Sequence, residues 1–263
     1  MNTEISSPKN PLLKAARELA RERKARREQG LTLVEGVRLV EEVVAAGAGF
    51  AWCLYTAELT AKERGARLLA ALRTAGAQPV LCPEELLARA ADTEQPQGIL
   101  AAVAVPRYGL ADLGDGPVLV ADGIGDPGNL GTMLRTALAL GSGGVVVSGG
   151  ADPWAPKTVR AAMGAGWRLP VVEAGSEAFA ALAPARRLLL MEAAAGEPAW
   201  QAPLTGPLAL VVGSEAVGPS PAARAAAQGA VHVPMPGRAE SLNAAQAAAM
   251  LLYEALRQRN LQS

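Results

Sequence analysis

Five polar side chains in this sequence are of types that could bind a ligand or take part in chemistry. An arginine binds phosphate through its forked guanidinium, while amide, hydroxyl and carboxylate groups can hold a reacting hydroxyl group or a cofactor. Taken singly, each of these residues could instead serve a structural purpose, such as capping a helix or lying on a solvated helix face. Each of the five lies in a segment that contains glycine or proline. The five residues are Asn129, Arg135, Glu215, Ser241 and Asn243.

The first of these segments contains a glycine loop that admits two interpretations. Gly123, Gly125 and Gly128 form a literal G-x-G-x-x-G after an apolar run, which is typical of dinucleotide-binding enzymes such as NAD-dependent oxidoreductases. However, Asp126-Pro127 places a negative charge where a pyrophosphate would sit. The helical pattern also starts only at Leu130, with Asn129 as the expected N-cap. The dinucleotide interpretation therefore stays open but is disfavoured.

The other two segments each follow a short apolar run that predicts a strand. Residues 208–212 lead into Gly213 and Glu215, and ligands of open α/β sheets bind where such strands end. Residues 230–233 lead into a proline-rich loop, after which Ser241 is the expected N-cap of a long helix. Asn243 would then lie in the first helical turn, where asparagine is unfavourable, as happens at functional sites.

The elements that must position these residues alternate between strand and helix. Such alternation predicts an α/β protein with two domains, covering residues 1–105 and 118–263 and joined by a Pro/Gly/Asp-rich linker at 106–117. In the second domain it predicts a mostly parallel sheet with helices on both faces. Strands are expected at 31–35, 50–55, 79–81, 98–105, 118–121, 144–148, 169–173, 187–191, 208–212 and 230–233. Helices are expected at 37–46, 61–75, 83–91, 130–140, 156–165, 177–183, 220–228 and 242–258.

Residues 10–28 predict a basic helix near the amino terminus. Four cationic residues recur at helical spacing as one stripe, and three further arginines, Arg23, Arg26 and Arg27, widen it. Two interpretations are open: a stripe that follows RNA phosphates, and a solvated surface helix with internal ion pairs. The predicted RNA-binding residues are Lys14, Arg17, Arg21, Lys24, Arg26 and Arg27.

Composition excludes several other classes of protein. The 263 residues carry no net charge and only 3% aromatic residues, which disfavours a base-stacking platform. His232 is the single histidine, so a multi-histidine zinc site and a histidine-centred triad are not expected. Cys53 and Cys82 lack metal-ligand spacing and are expected to be reduced, structural thiols of a cytoplasmic protein. No metal, signal peptide or membrane span is predicted.

Together, the three segments resemble the three motifs of the SpoU/TrmH family of RNA 2′-O-ribose methyltransferases, in the SPOUT superfamily. The motifs are D-x-x-x-D-P-x-N-x-G-x-x-x-R-T-A at 122–137, G-x-E-x-x-G at 213–218 and a V-P-M to S-L-N segment at 233–243. The amino-terminal part resembles the L30e-like substrate-binding domain of this family. The residues that carry this resemblance are Arg26-Arg27, the segment 33–38 and the segment 95–99.

The resemblance implies a carboxy-terminal sheet with a deep trefoil knot and a homodimer whose catalytic site lies at the dimer interface. S-adenosylmethionine would be the cofactor, bound in the knotted loops. The cofactor-binding residues implied are Gly213, Gly218, Val233, Met235 and Leu242.

The resemblance also implies roles for the five polar residues. Arg135 would bind the RNA phosphate and assist removal of the 2′-hydroxyl proton, and Asn129 would fix Arg135 or the ribose. Glu215, Ser241 and Asn243 would shape the site. The amino-terminal domain favours 23S ribosomal RNA as the substrate over tRNA. A tRNA 2′-O-methyltransferase and a non-catalytic RNA-binding protein remain alternatives.

Overall fold

The computed structural model describes residues 4–93, 96–237 and 240–261, so Gln95 of the family cue at 95–99 lies outside the described residues. The chain divides into two compact units. The first comprises Met1–Pro106 and Trp154–Trp167, and the second comprises Arg107–Pro153 and Arg168–Ser263. Residues 154–167 therefore pack with the first unit, although the sequence places them within the predicted domain 118–263.

The strands agree closely with the apolar runs of the sequence. The two-residue strand β9 has no counterpart in the prediction, because so short a run carries no periodicity. The strands are β1 Leu31–Glu35, β2 Phe50–Tyr55, β3 Pro79–Leu81, β4 Ile99–Ala104, β5 Val118–Asp122, β6 Gly144–Ser148, β7 Val171–Ala174, β8 Arg187–Met191, β9 Glu197–Pro198, β10 Leu208–Gly213 and β11 Gly229–His232.

The helices differ from the prediction mainly at their ends. They are α1 Pro11–Arg21, α2 Arg23–Gln29, α3 Val37–Ala45, α4 Ala57–Thr60, α5 Glu63–Thr74, α6 Glu84–Ala88, α7 Pro127–Ala139, α8 Pro156–Ala162, α9 Glu177–Leu182, α10 Pro221–Ala226 and α11 Ala244–Asn260. Among the residues described, none of these helices is long and apolar enough to span a membrane.

The first unit is built on a four-stranded sheet in the order β1-β4-β2-β3. Strand β4 runs antiparallel to β1 and β2, and β2 runs parallel to β3. Helix α8, from the segment 154–167, packs against β1. Within this unit the Thr32 hydroxyl donates to the Trp154 carbonyl (2.6 Å), and the Trp167 indole N–H donates to the Ala104 carbonyl (2.9 Å).

The second unit is built on a seven-stranded parallel sheet in the order β7-β6-β5-β10-β8-β11-β9. The predicted α/β class with a mostly parallel sheet is thus confirmed. Every residue of β5 and β6 is buried, as expected for central parallel strands covered on both faces. Neighbouring strands end at the same edge of the sheet, so the loops after β5, β8, β10 and β11 lie close together.

The predicted basic helix at 10–28 is two helices. Glu22 adopts an extended conformation (φ −110°, ψ 111°), which separates α1 from α2 and interrupts the predicted stripe. Arg26 does not belong to any exposed stripe, because only 6% of it is exposed and its Nη1 donates to the Leu19 carbonyl at 2.7 Å. We therefore correct the prediction of Arg26 as an RNA-binding residue: its guanidinium satisfies carbonyl groups at the end of α1.

Candidate functional site

The candidate site of the second unit lies at the carboxyl end of its sheet. Strand β10 lies between β5 and β8, and Gly213 at its end is level with Asp122 at the end of β5. The motif-bearing segments begin directly after β5, β10 and β11. Parallel strands thereby bring together residues that are far apart in the sequence.

A cavity of about 220 Å³ opens at this edge of the sheet. Its lining contains all five predicted cofactor-binding residues, Gly213, Gly218, Val233, Met235 and Leu242. Two residues predicted to be catalytic, Glu215 and Ser241, also line it, whereas Asn129, Arg135 and Asn243 do not. The remaining lining residues are Met191, Glu192, Ala193, Val212, Ser214, Pro219, Ala244, Ala247 and Leu251.

Two glycines shape the wall of this cavity. A Cβ atom on Gly213 would overlap the backbone of Gly218 and Pro219, so the loop can fold back only because Gly213 has no side chain. Gly218 adopts a left-handed conformation (φ 70°), and its N–H donates to the Ser214 carbonyl at 2.8 Å. The sequence 213–218 therefore forms a tight turn with backbone groups at the cavity surface.

Three of the predicted polar residues form a hydrogen-bonded network beside the cavity. The Asn129 side-chain N–H donates to Glu215 Oε1 at 2.7 Å, and the Asn243 side-chain N–H donates to Asn129 Oδ1 at 3.0 Å. Each residue comes from a different motif. Glu215 and Asn243 are exposed, while Asn129 between them is half-buried. Asn129 is held at both ends of its amide, which fixes its orientation for a substrate.

The two helices that carry this network begin differently from the prediction. Helix α7 starts at Pro127, and its N-cap is Asp126, whose carboxylate accepts from the Asn129 backbone N–H at 2.7 Å. Helix α11 has Asn243, not Ser241, as its N-cap. Asparagine is favourable at an N-cap, so the expectation that Asn243 is out of place in a first helical turn is wrong.

Arg135 lies in α7 and is solvent-exposed. Across the described ranges its guanidinium forms neither a hydrogen bond nor an ion pair. It is not part of the Asn129 network, so the structure does not bring all five polar residues together. An exposed guanidinium on a helix that begins at this site remains available to an anionic substrate.

The start of α7 also decides against the dinucleotide interpretation of the glycine loop. Pro127 has no N–H to offer, and the Asp126 carboxylate already accepts from the Asn129 N–H. A pyrophosphate needs free backbone N–H groups at a helix start, and here it would meet a carboxylate. The glycines of the loop instead allow the turn between β5 and α7, where Gly123 has φ 71°.

Sequence reasoning gave no role to two acidic residues of this site, although Asp122 opens the first motif. Asp122 is buried, and its Oδ2 accepts from the Ser220 N–H at 2.6 Å, which ties the end of β5 to the start of α10. Glu192 follows β8, lines the cavity and pairs with Arg224 at 2.7 Å. Their positions at the ends of parallel strands are the signal that could have identified them.

The predicted RNA-binding residues belong to the first unit. Lys14, Arg21, Lys24 and Arg27 are exposed, while Arg17 is half-buried. Lys14 pairs with Glu18 at 3.6 Å and Lys24 pairs with Glu28 at 3.7 Å, one helical turn away in each case. Exposed pairs of this type are worth little in water, so these cations can exchange carboxylate partners for phosphates.

Comparison with known families decides where the chain belongs. The profile of the SpoU rRNA Methylase family matches residues 116–253, which is more than half of the chain. The chain belongs to the SpoU methylase family. The profile of the MRM3-like substrate binding domain matches residues 10–101.

Relatives of this SpoU methylase match it over almost its whole length. It is 34% identical to the 23S rRNA (guanosine(2553)-2′-O)-methyltransferase RlmP of Bacillus subtilis, over 95% of this chain and 98% of that one. It is also 34% identical to the 23S rRNA (uridine(2479)-2′-O)-methyltransferase of Streptomyces viridochromogenes, over 90% and 86% of the two chains. The crystal structure of the SpoU methyltransferase AviRb from Streptomyces viridochromogenes with AdoMet superposes with a TM-score of 0.86 at 30% identity. That match covers 96% of this chain and 99% of AviRb.

Proposed function

We propose that this SpoU methylase transfers a methyl group from S-adenosylmethionine to a ribose 2′-hydroxyl of 23S ribosomal RNA. One observation carries the proposal: the cavity after β10 adjoins a polar network built from all three family motifs. Full-length relatives named as 23S rRNA 2′-O-methyltransferases support the choice of substrate.

The residues of the cavity fit S-adenosylmethionine. Backbone groups at Gly213 and Gly218 can approach a ligand closely because no side chain intervenes. Val233, Met235 and Leu242 provide an apolar wall of the kind that receives an adenine ring. When bound, S-adenosylmethionine supplies an electrophilic methyl group.

The protein's own residues would hold the RNA and align the reacting hydroxyl. The Arg135 guanidinium is always charged and can bind the phosphate next to the target ribose. There it would stabilise the negative charge that develops on the 2′-oxygen as the hydroxyl proton passes to water. Asn129 has one amide hydrogen engaged by Glu215, and its second hydrogen can contact the ribose. Such alignment can contribute about 7–11 kcal/mol to the rate.

We extend the proposal to the whole chain. Residues 1–105 would be an L30e-like RNA-binding domain, 106–117 a linker and 118–263 the methyltransferase domain with a deep trefoil knot, apart from residues 154–167, which pack with the first unit. The match of residues 10–101 to a substrate-binding family supports the first of these assignments. We also propose that the protein works in the cytoplasm, as a homodimer and without a metal.

The first experiment tests the proposed activity. Purified protein is incubated with S-adenosylmethionine carrying a labelled methyl group and with either unmodified 23S rRNA or tRNA transcripts. We expect label in 23S rRNA, at one position that resists alkaline cleavage because its 2′-hydroxyl is blocked. Label only in tRNA would change the substrate, and binding of RNA without transfer would identify a non-catalytic RNA-binding protein.

The second experiment tests the role of Arg135. We expect Arg135→Ala to abolish methyl transfer and to leave the affinity for S-adenosylmethionine within a few-fold, since Arg135 does not line the cavity. Arg107→Ala is the matched control, because Arg107 is an exposed arginine of the same unit that lies outside the three motifs. Retained turnover in Arg135→Ala would remove Arg135 from the mechanism.

A further inference from the structure

A second cavity lies within the first unit, away from the motifs that identify the family. It has a volume of about 540 Å³ and lies between the start of α3, the segment before β4 and helix α8. Its lining combines two guanidinium groups, an amide, a hydroxyl and two apolar side chains. These belong to Arg38, Arg160, Gln97, Thr93, Leu39 and Met163.

Arg160 adds a guanidinium group to the wall of the cavity. Its side chain is 31% exposed, and its Nη2 pairs with Asp92 at 2.7 Å. Its Nη1 is buried, so a ligand in the cavity would meet the accessible part of the guanidinium rather than this atom. Arg38 is exposed and forms no ion pair within the described ranges, which adds a second cation.

The oxygens of the acidic residue in the lining are engaged within the protein. Glu35 is buried, and it accepts hydrogen bonds from the Asp92 N–H (3.0 Å), the Thr93 N–H (3.3 Å) and the Thr93 hydroxyl. Glu35 therefore holds the segment after α6 in place. The hydrogen-bonding groups left to face a ligand include the guanidinium of Arg38 and the amide of Gln97.

Two residues beside the cavity have positive φ. Met163 (φ 49°) is the C-cap of α8 and the only residue other than glycine with positive φ in the part of the chain that the structure describes. Gly36 has φ 97°, which glycine adopts without cost, and a Cβ atom there would lie 3.1 Å from Gln97 Oε1. The absence of a side chain at Gly36 therefore leaves room for the Gln97 amide at the cavity.

We propose that this cavity binds one unstacked nucleotide of the RNA substrate, at a position separate from the methylated ribose. The base would lie against Leu39 and Met163, with the Gln97 amide as hydrogen-bond partner and the accessible part of the Arg160 guanidinium beside it, and Arg38 would bind the phosphate. Proteins recognise single-stranded RNA through such splayed bases and through guanidinium and amide groups. The proposal rests on the proposed function only in taking RNA as the ligand.

Substitution of Arg160 tests the proposal through RNA binding. We expect Arg160→Gln to weaken binding of a 23S rRNA transcript by about tenfold or more, since hydrogen bonds to charged groups have that worth. In methyl transfer, KM for RNA should rise while kcat and the affinity for S-adenosylmethionine stay unchanged. The matched control is Arg67→Gln, because Arg67 is exposed in the same unit and pairs with Glu63 along α5. Gln97→Glu, nearly isosteric, should also weaken binding.

Three outcomes would overturn the proposal. One is equal RNA affinity of Arg160→Gln, Arg67→Gln and the wild type. In another, Arg160→Gln loses RNA binding but also has a lowered unfolding temperature, while Gln97→Glu binds RNA fully; the loss would then come from instability. The third is competition by inorganic phosphate as effective as that of the four nucleoside 5′-monophosphates, which would make this an anion site. RNA affinity is measured without methyl transfer, so an inactive wild type would overturn the proposed function and leave this test intact.

Discussion

Asn243 carries out two tasks with the two ends of one amide group. Its Oδ1 accepts from the backbone N–H groups of Ala245 (3.0 Å) and Gln246 (3.3 Å), which caps α11. Its Nδ2 donates to Asn129, which in turn donates to Glu215. The helix start and the polar network therefore depend on the same side chain, but on different atoms of it.

Two substitutions of Asn243 separate these tasks. Asn243→Asp keeps an acceptor at the N-cap and removes the donor to Asn129, so we expect unchanged thermal stability and greatly reduced methyl transfer. Asn243→Ala removes both groups and should also lower the free energy of unfolding by about 1 kcal/mol. Full activity of Asn243→Asp would show that the hydrogen bond to Asn129 is not needed. Unfolding curves and methyl-transfer rates are the measurements.

The two cysteines make the stability of the first unit depend on pH in the alkaline range. Burial raises the pKa of the Cys53 thiol to about 12 and that of Cys82 to about 11, from an ordinary value of 9.0. The unfolded chain therefore loses these protons first as the pH rises above about 9. The stability that the protonated thiols contribute is complete below that pH and declines above it.

We expect the free energy of unfolding to fall as the pH rises from about 9 to about 11, and that of Cys53→Ala to fall less steeply than that of the wild type. Denaturant titrations at several pH values measure this. In the same range a thiol reagent should label the folded protein slowly and the denatured protein at both cysteines. Rapid labelling of Cys53 in the folded protein would contradict the burial that raises its pKa.

At the scale of elements, strands are easier to predict from this sequence than helix starts. Buried parallel strands are apolar throughout, so β5, β6 and β10 stand out as apolar runs. The apolar pattern puts the start of α7 at Leu130, because Pro127-Gly128 interrupts it. Yet Asp126 as N-cap and Pro127 as first residue is a favourable helix start.

The placement of residues 154–167 could not be predicted from local sequence. What holds this segment in the first unit is contact with distant residues, through the bonds of Thr32 to Trp154 and of Trp167 to Ala104. The two indole rings also pack edge to face at 5.3 Å. The hydrophobic periodicity of the sequence does not reveal such long-range contacts. The candidate site could be predicted because the family motifs mark its residues. The second cavity could not, because one of its lining residues, Arg160, comes from this segment.

The junction of α1 and α2 gives a prediction about Arg26. Arg26→Gln should lower the free energy of unfolding by about 1–3 kcal/mol, because the buried carbonyl of Leu19 loses its charged donor. Arg27→Gln, at an exposed neighbouring position, should change stability little. RNA binding by folded Arg26→Gln should keep the salt dependence of the wild type. A flattened salt dependence would show that Arg26 is an RNA-binding residue after all.

The exposed cations of the same two helices give the opposite prediction. We expect the quadruple change of Lys14, Arg17, Arg21 and Lys24 to glutamine to weaken RNA binding and leave the unfolding temperature nearly unchanged. The slope of log affinity against log salt should flatten by about 0.7 for each RNA phosphate that the variant no longer neutralises. Filter binding at several salt concentrations measures this slope. An unchanged slope would make these cations part of a solvated surface only.

At the scale of the whole molecule, the proposed ligands divide between the two units. The cavity proposed for S-adenosylmethionine lies entirely in the second unit, while the exposed cations and the nucleotide cavity lie in the first. Changes in the first unit should therefore act on RNA affinity, and changes around Gly213 on cofactor affinity. With no net charge on the chain, binding of a polyanion would depend on such local groups of cations.

The proposed homodimer gives the last prediction. Helix α11 packs against α7 and β10, yet it leaves Met250 and Tyr253 one turn apart and exposed, at 47% and 60%. An apolar patch of this kind on a folded chain indicates an interaction surface. We expect Tyr253→Glu to convert a dimer into monomers in sedimentation equilibrium and to lose methyl transfer with it. Trp200→Glu, at an equally exposed apolar residue of the same unit, should remain a dimer. Monomeric wild-type protein with full activity would show that the site is complete within one chain.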